Sequence, residues 1–279
     1  MRISIFGNPD SFFWKKSLKI IIKLNSLLNL TINQRFNQIV YRFKPKTRME
    51  VFRYTTFFSK EKGTLKWLDE NIEPSSIMYD IGANVGLYSI YAAKKHGDVK
   101  VYAFEPHKVN FATLLENISL NDLEGSIFPL SFALNDAVGF FDLNYNSMES
   151  GASMTQLGHT KLPHDRDFKP KMSELVYSLS VDELIATGKV QQPTLIKIDV
   201  DGNEISILKG MRGLLTSSLP PKSIQIEINP GERNDVVNFL STCGYVLDHK
   251  HFTKSGQVAF ENNKPLDEIP HNAVFVKAE

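Results

Sequence analysis

Met78-Tyr79-Asp80-Ile81-Gly82-Ala83-Asn84-Val85-Gly86-Leu87-Tyr88 is an apolar strand that breaks into a glycine-punctuated turn and then opens a helix. Two glycines four apart let the backbone turn sharply and approach a ligand without Cβ obstruction, and the next helix presents unpaired N–H groups to it. A nucleotide-like ligand belongs in such a turn. Asp80 adds a carboxylate at the strand's end. It would repel a pyrophosphate and favours a cationic or hydroxyl-bearing ligand. The phosphate motifs fail on the same residues. A dinucleotide fingerprint counted from Gly82 meets Asn84 and Leu87 where its second and third glycines belong, and a P-loop would need Lys and Ser or Thr where Leu87 and Tyr88 stand.

Outward from the turn, the chain from about residue 61 alternates strands and helices, the pattern of a doubly wound, mostly parallel α/β sheet. Strands are predicted at residues 77–81, 100–104, 126–132, 194–200, 223–228, 245–249 and 273–277. Helical periodicity is clear in Phe111, Leu114, Leu115 and Ile118, and again in Ile207, Leu208, Met211, Leu214 and Leu215. Gly97 and Gly244 fall where helices should stop. The alternation lapses over 138–179, where a hairpin over 138–145 leads into weakly periodic sequence that reads as a functional loop or lid.

The second strand ends in Ala103-Phe104-Glu105-Pro106, placing an acid 25 residues after Asp80. A carboxylate there can accept both hydroxyls of a ribose lying across the first turn. The Asp-x-Gly-x-Asn-x-Gly turn with this second acid resembles the S-adenosylmethionine site of class I methyltransferases, and more narrowly the FkbM family. The likeness rests on residues 80–89, on 103–106, on Asn117 to Asn121 and on Ile196-Lys197-Ile198-Asp199-Val200-Asp201-Gly202-Asn203-Glu204, with Gly210 extending the last block. It implies a Rossmann-like seven-stranded fold, S-adenosylmethionine as co-substrate, and methyl transfer to a hydroxyl of a sugar, glycan or polyketide-like acceptor. Asp201 stands where the pattern usually has Glu, a shorter reach with the same charge. The cofactor-binding set is then Asp80, Gly82, Asn84, Gly86, Glu105, Pro106 and Asp199, with adenine against the end of the third strand near Ser131 and Ala133.

Lys197 and Asp199 are two apart on the fourth strand, so they share a face about 7 Å apart. A hydroxyl nucleophile benefits from a base or a cation, and Asp199 is the first candidate for that work. Lys197 in an apolar strand needs a partner, and Glu227 at the end of the fifth strand is the candidate; these three make the catalytic set. Asp199, Asp201 and Glu204 could hold Mg²⁺ or Ca²⁺, but the spacing is not that of an EF-hand, and Asp201 and Glu204 read better as caps of the helix near Asn203. Among the histidines, His107 could reach the adenine, and His159 or His164 could act at the acceptor. Asn117 and Asn121 read as helix-end and turn residues.

Composition sets the outer limits. With 279 residues, 42% of them hydrophobic, the chain can bury a full core, and a lone cysteine, Cys243, excludes an internal disulfide framework and favours a reducing, cytoplasmic setting. The near-zero net charge conceals an asymmetry: residues 1–66 hold 14 Lys and Arg against 3 Asp and Glu, the remainder 18 against 28. Residues 1–60 read as a basic amphipathic N-terminal arm and 61–279 as the methyltransferase domain. Within the arm, Lys15, Lys16, Lys19 and Lys23 share one helical face and Phe13, Trp14, Leu18, Ile21, Leu24 and Leu28 the other. Such a helix either packs on the domain or lies on an anionic membrane surface, through residues 12–30; its lysines argue against a membrane span. The acidic body lacks a recognised nucleic-acid motif, so the expected partner is a small-molecule or glycan acceptor and not nucleic acid. Two alternatives stay open: methylation of nitrogen on a small molecule or protein, and an inactive cofactor-binding module working through the basic arm.

Overall fold

The computed structural model describes residues 31–162, 166–252 and 254–278. The amphipathic segment 12–30 and His164 lie outside the described residues. The chain enters through an antiparallel hairpin of β1 (Ile32–Phe36) and β2 (Ile39–Phe43), turned at Asn37 and Gln38, both at positive φ. A Thr47–Glu50 capping box then starts helix α1 (Arg48–Lys60), followed by α2 (Lys62–Asn71). The doubly wound half runs β3 (Ser76–Ile81), α3 (Leu87–His96), β4 (Val99–Phe104), α4 (Lys108–Leu120) and β5 (Ile127–Leu130). Next come short β6 (Ala133–Leu134), β7 (Gly139–Tyr145), β8 (Gln156–Leu157), β9 (Lys161–Leu162), β10 (Arg166–Asp167) and β11 (Met172–Leu179). The second half has α5 (Val181–Ala186), β12 (Leu195–Ile198), α6 (Glu204–Lys209), α7 (Arg212–Leu215), β13 (Ser223–Ile228), α8 (Arg233–Thr242), β14 (Tyr245–His251), α9 (Lys254–Glu261) and β15 (His271–Lys277).

Seven strands form the central sheet in the order β14-β15-β13-β12-β3-β4-β5, with only β15 running against the others. Chain order reverses between β3 and β12, and in open α/β sheets ligands bind outside the strand ends at such a switch point. Strand alternation splits the core in two. One face buries Met78, Val101, Ala103 and Leu195 under α1 to α4, and the other buries Tyr79, Phe104, Ile196, Ile198 and Ile226 under α5 to α8. Residues 31–60 share the first core: Tyr41, Phe43, Val51, Tyr54 and Phe57 are buried there, with the Phe43 and Tyr54 rings stacked 4.6 Å apart.

Two sequence expectations need correction. Residues 138–145 do not form a hairpin: β7 is one strand, paired antiparallel with β11 some thirty residues on and with β8, in a four-stranded sheet β6-β11-β7-β8. Its inward Leu143 and Tyr145 pack with Leu157 and Val176, a long-range pairing that local periodicity does not reveal. The helix expected through Ile207 to Leu215 breaks at Gly210, where a Cβ would lie 2.1 Å from the Asn135 carbonyl oxygen; the chain entering the insertion crosses there.

Candidate active site

Beneath the glycine turn runs a polar row across the sheet. Strand register sets Lys197 opposite Asp80 on β3 and Gln225 on β13. Lys197 is buried, with its Nζ 3.0 Å from Asp199 Oδ2 and 3.8 Å from Asp80 Oδ1, and it lies over the Tyr88 ring at 4.7 Å. Glu227 is therefore not its ion-pair partner. It stands two residues farther along β13, past the register position of Lys197 and level with Asp199. Burial works against the ammonium, but Asp199 and Asp80 keep it charged, with a pKa above the ordinary lysine value. Burial would likewise raise Asp199, yet the Lys197 ammonium holds its carboxyl below the usual range. Glu227 moves the other way, pushed well up by burial and by the neighbouring Asp199 and Asp201.

The turn is shaped by close approach. At Gly82, φ is +82° and a Cβ would sit 1.9 Å from the Asp199 carbonyl oxygen; at Gly86, φ is +85° and a Cβ would meet Leu114 at 2.4 Å. Glu105 ties turn and second strand together, its carboxylate accepting the Asn84 N–H at 2.7 Å and the His107 N–H at 2.8 Å. Burial pushes its pKa up to about 7, against the pull of those two N–H groups. A carboxylate has four lone-pair sites, so two remain for ligand hydroxyls. The insertion is strapped over this point: Ala152 O accepts from the side-chain amides of Asn84 (2.8 Å) and Asn110 (3.1 Å), and Asp201 Oδ2 accepts the Met154 N–H at 2.7 Å. Asn84, Met154 and Asp201 all hold positive φ, the kind of strain that concentrates at binding sites.

The result is a cleft of about 670 Å³, walled by Phe104, Phe132, Ala133 and Leu134 on its apolar side and by Glu105, Asn84, Asp199 and Asp201 on its polar side. Leu143, Ser153, Thr155 and Leu157 of the insertion close it. At Gly82 and Asp199 it opens into a second, polar compartment bounded by Arg53, Lys60, Glu61, Tyr88, Asp201 and Glu227, and beyond that into a vestibule along α1 with Met49, Phe52 and Thr56. An apolar slot for a base, a free-sided carboxylate for a ribose and a charged compartment for an amino-acid tail fit S-adenosylmethionine.

Of the residues expected to bind cofactor, Gly82, Asn84, Glu105, Pro106, Ala133 and Asp199 line the cleft. Asp80, Gly86 and Ser131 do not. Asp80 is fully buried under the turn and accepts the Ser89 hydroxyl at 2.6 Å, so it is a partner for Lys197 and not a wall of the site. His107 is also buried, capping α4 while its Nε2 contacts Ser147 O at 3.0 Å, and it does not line the cleft. Asp201 and Glu204 do not cap α6: Asp201 holds Met154, and Glu204 is a buried carboxyl facing the Val200 N–H at 3.3 Å. Asn117 and Asn121 are structural, the first holding Val85 O at 2.9 Å and the second Arg42 O at 2.7 Å. Among the described residues no group of three or more His, Cys, Asp or Glu is placed to hold a metal, and no helix is long and apolar enough to cross a membrane. Sequence reasoning missed Arg53, Lys60, Glu61 and Tyr88. The only signal for the first two was the excess of basic residues before residue 66, which does not say which of them face the cleft.

The profile of the methyltransferase FkbM domain matches residues 80–247. A hexuronic acid methyltransferase, AglP, of Haloferax volcanii is 28% identical over 201 residues, 72% of this chain and 75% of that protein. The 31-O-demethyl-FK506 methyltransferase FkbM of Streptomyces tacrolimicus is 36% identical over 198 residues, 63% of this chain and 75% of that protein. Among solved structures, a methyltransferase FkbM from Methylobacillus flagellatus KT superposes with a TM-score of 0.48 at 17% identity, covering 76% of this chain and 50% of that one.

Proposed function

This chain belongs to the FkbM family of methyltransferases, and from that premise we propose that it methylates a hydroxyl oxygen on a sugar, glycan or polyketide-like acceptor. The family implies S-adenosylmethionine, which supplies an electrophilic methyl on a sulfonium. The observation that carries the reading is Glu105: a buried carboxylate with two lone-pair sites left, at the wall of an apolar slot that opens at Asp199 toward a polar compartment. Relatives named for a hexuronic acid and for 31-O-demethyl-FK506 support an oxygen acceptor.

In this assignment Glu105 holds the ribose, Phe104, Phe132 and Ala133 the base, and Gly82 and Asn84 the turn against which the ligand lies. Asp199, kept ionised by Lys197, offers negative charge to a cationic centre; that same low pKa makes it a weak base. Glu227, whose pKa is pushed well up by burial and by Asp199, is the stronger base of the two and would take the hydroxyl proton as the methyl exchanges its bond to sulfur for one to the acceptor oxygen. The acceptor enters along α1, where Phe52 and Met49 are about two-fifths exposed and offer apolar surface to a sugar face.

Titration calorimetry with S-adenosylhomocysteine tests the cofactor assignment, and absence of binding overturns it. Carbon-13 methyl donor, offered with neutral glycosides, uronic acid glycosides and peptides, tests the acceptor. Label on carbohydrate oxygen supports the reading; label on nitrogen alone overturns it.

A further inference from the structure

The polar compartment beyond Asp199 carries charges of both signs, supplied by different elements. Asp199, Asp201 and Glu227 come from the ends of β12 and β13, Arg53 and Lys60 from helix α1 with Glu61 at its end, and the Gly82 to Val85 turn completes the lining. A neutral hydroxyl compound has no use for such a division; a zwitterionic α-amino acid does. The two cations differ. Lys60 is exposed and its ammonium lies 3.4 Å from Glu61 Oε1. Arg53 is half-buried, and its Nε donates to the Gly151 carbonyl at 2.6 Å, which orients the guanidinium. Among the described residues that is its one hydrogen bond, so its remaining N–H groups are available where the residue lines the compartment. Gly151 itself sits at φ +82° with a Cβ direction only 3.3 Å from the Glu50 nitrogen, so helix α1 and the insertion strap meet at this guanidinium. The positive charge reaches Glu105, Asp199 and Asp201, opposing the rise that burial imposes on each.

We infer that Arg53, which lies outside the family-matched segment, is the carboxylate-binding residue for the amino-acid tail of S-adenosylmethionine, with Asp199 facing the tail's ammonium. This rests on the cofactor assignment above. It gives helix α1 a direct part in ligand binding: the guanidinium joins the tail to the insertion strap, so tail occupancy and closure of the Gly151 segment reinforce each other.

The test is calorimetry on the full chain with two probes, S-adenosylhomocysteine, which carries the zwitterionic tail, and 5′-methylthioadenosine, which lacks it. Arg53→Met should weaken the first about tenfold, the value of one charge-assisted hydrogen bond at a half-exposed site, and leave the second within twofold. Arg53→Lys should recover part of the loss. Equal weakening of both probes would mean that Arg53 only supports the strap, and unchanged S-adenosylhomocysteine affinity would mean that its charge serves the acceptor; either result overturns the inference. Failure of wild-type protein to bind either probe would instead overturn the cofactor assignment. A melting curve on each variant reports whether it folds.

Discussion

Replacing Glu105 with glutamine should remove a loss of stability that the wild type suffers as pH rises, and should weaken binding greatly. The variant keeps size and one acceptor oxygen but cannot ionise. In the wild type the folded-state pKa is raised from 4.5 to about 7 by burial, so the folded protein resists ionisation that the unfolded chain accepts. A raised acid contributes stability that is present below about pH 4.5 and lost as pH rises to about 7. The roughly 2.5 units amount to about 3 kcal/mol at about 1.4 kcal/mol each, for a residue only 5% exposed. Glutamine, which cannot ionise, escapes that loss, while its NH2 faces one of the two backbone N–H groups that the carboxylate accepts, a pH-independent cost of about 1–3 kcal/mol. Differential scanning calorimetry should show the variant's Tm rising relative to wild type by roughly 6–12 °C between pH 4.5 and pH 8, at about 2–4 °C per kcal/mol. In the same protein, S-adenosylhomocysteine should bind at least about 100-fold more weakly, because two hydroxyl–carboxylate hydrogen bonds of about 1.5–3 kcal/mol each become at best one neutral bond. A Tm difference that does not grow in the variant's favour between pH 4.5 and pH 8, or a variant that binds as well, would refute this account of Glu105.

Three more outcomes follow from the same geometry. Wild-type affinity for S-adenosylhomocysteine should fall about tenfold between pH 8 and pH 6, as protonation of Glu105 removes the acceptor; calorimetry across that range checks it. Lys197→Met should destabilise the fold by about 3–5 kcal/mol in urea unfolding, since it leaves Asp80 buried without a counter-charge, and adding Asp80→Asn should restore part of that loss. Gly82→Ala should cost about 3 kcal/mol or more, with a Cβ 1.9 Å from the Asp199 carbonyl oxygen at a φ of +82°, whereas alanine at Gly125, which has open space around it, should be near neutral.

Most of the sheet was legible because each parallel strand is a short apolar run bounded by turn residues, and Gly97 and Gly244 do end helices at positive φ. Glu105 was legible for a similar reason: its position depends only on where its own strand stops. Asp80 was misread because spacing does not reveal depth. It ends the strand as expected, yet a close turn covers it and register turns it toward Lys197. The partner of Lys197 was missed for a related reason, since pairing depends on which residues lie level across strands that are distant in sequence.

From local pattern alone came the fold class, the switch-point turn, the carboxylate that ends the second sheet strand and the family likeness, all carried by contiguous residues whose spacing is set by backbone geometry. Tertiary structure alone decided that β7 pairs with β11, that the pKa of Asp199 is lowered while that of Glu227 is raised, and that Arg53 of helix α1 lines the compartment beyond Asp199. Those facts depend on distance and burial between segments tens of residues or more apart, and neither charge coupling nor desolvation is written into the order of the residues.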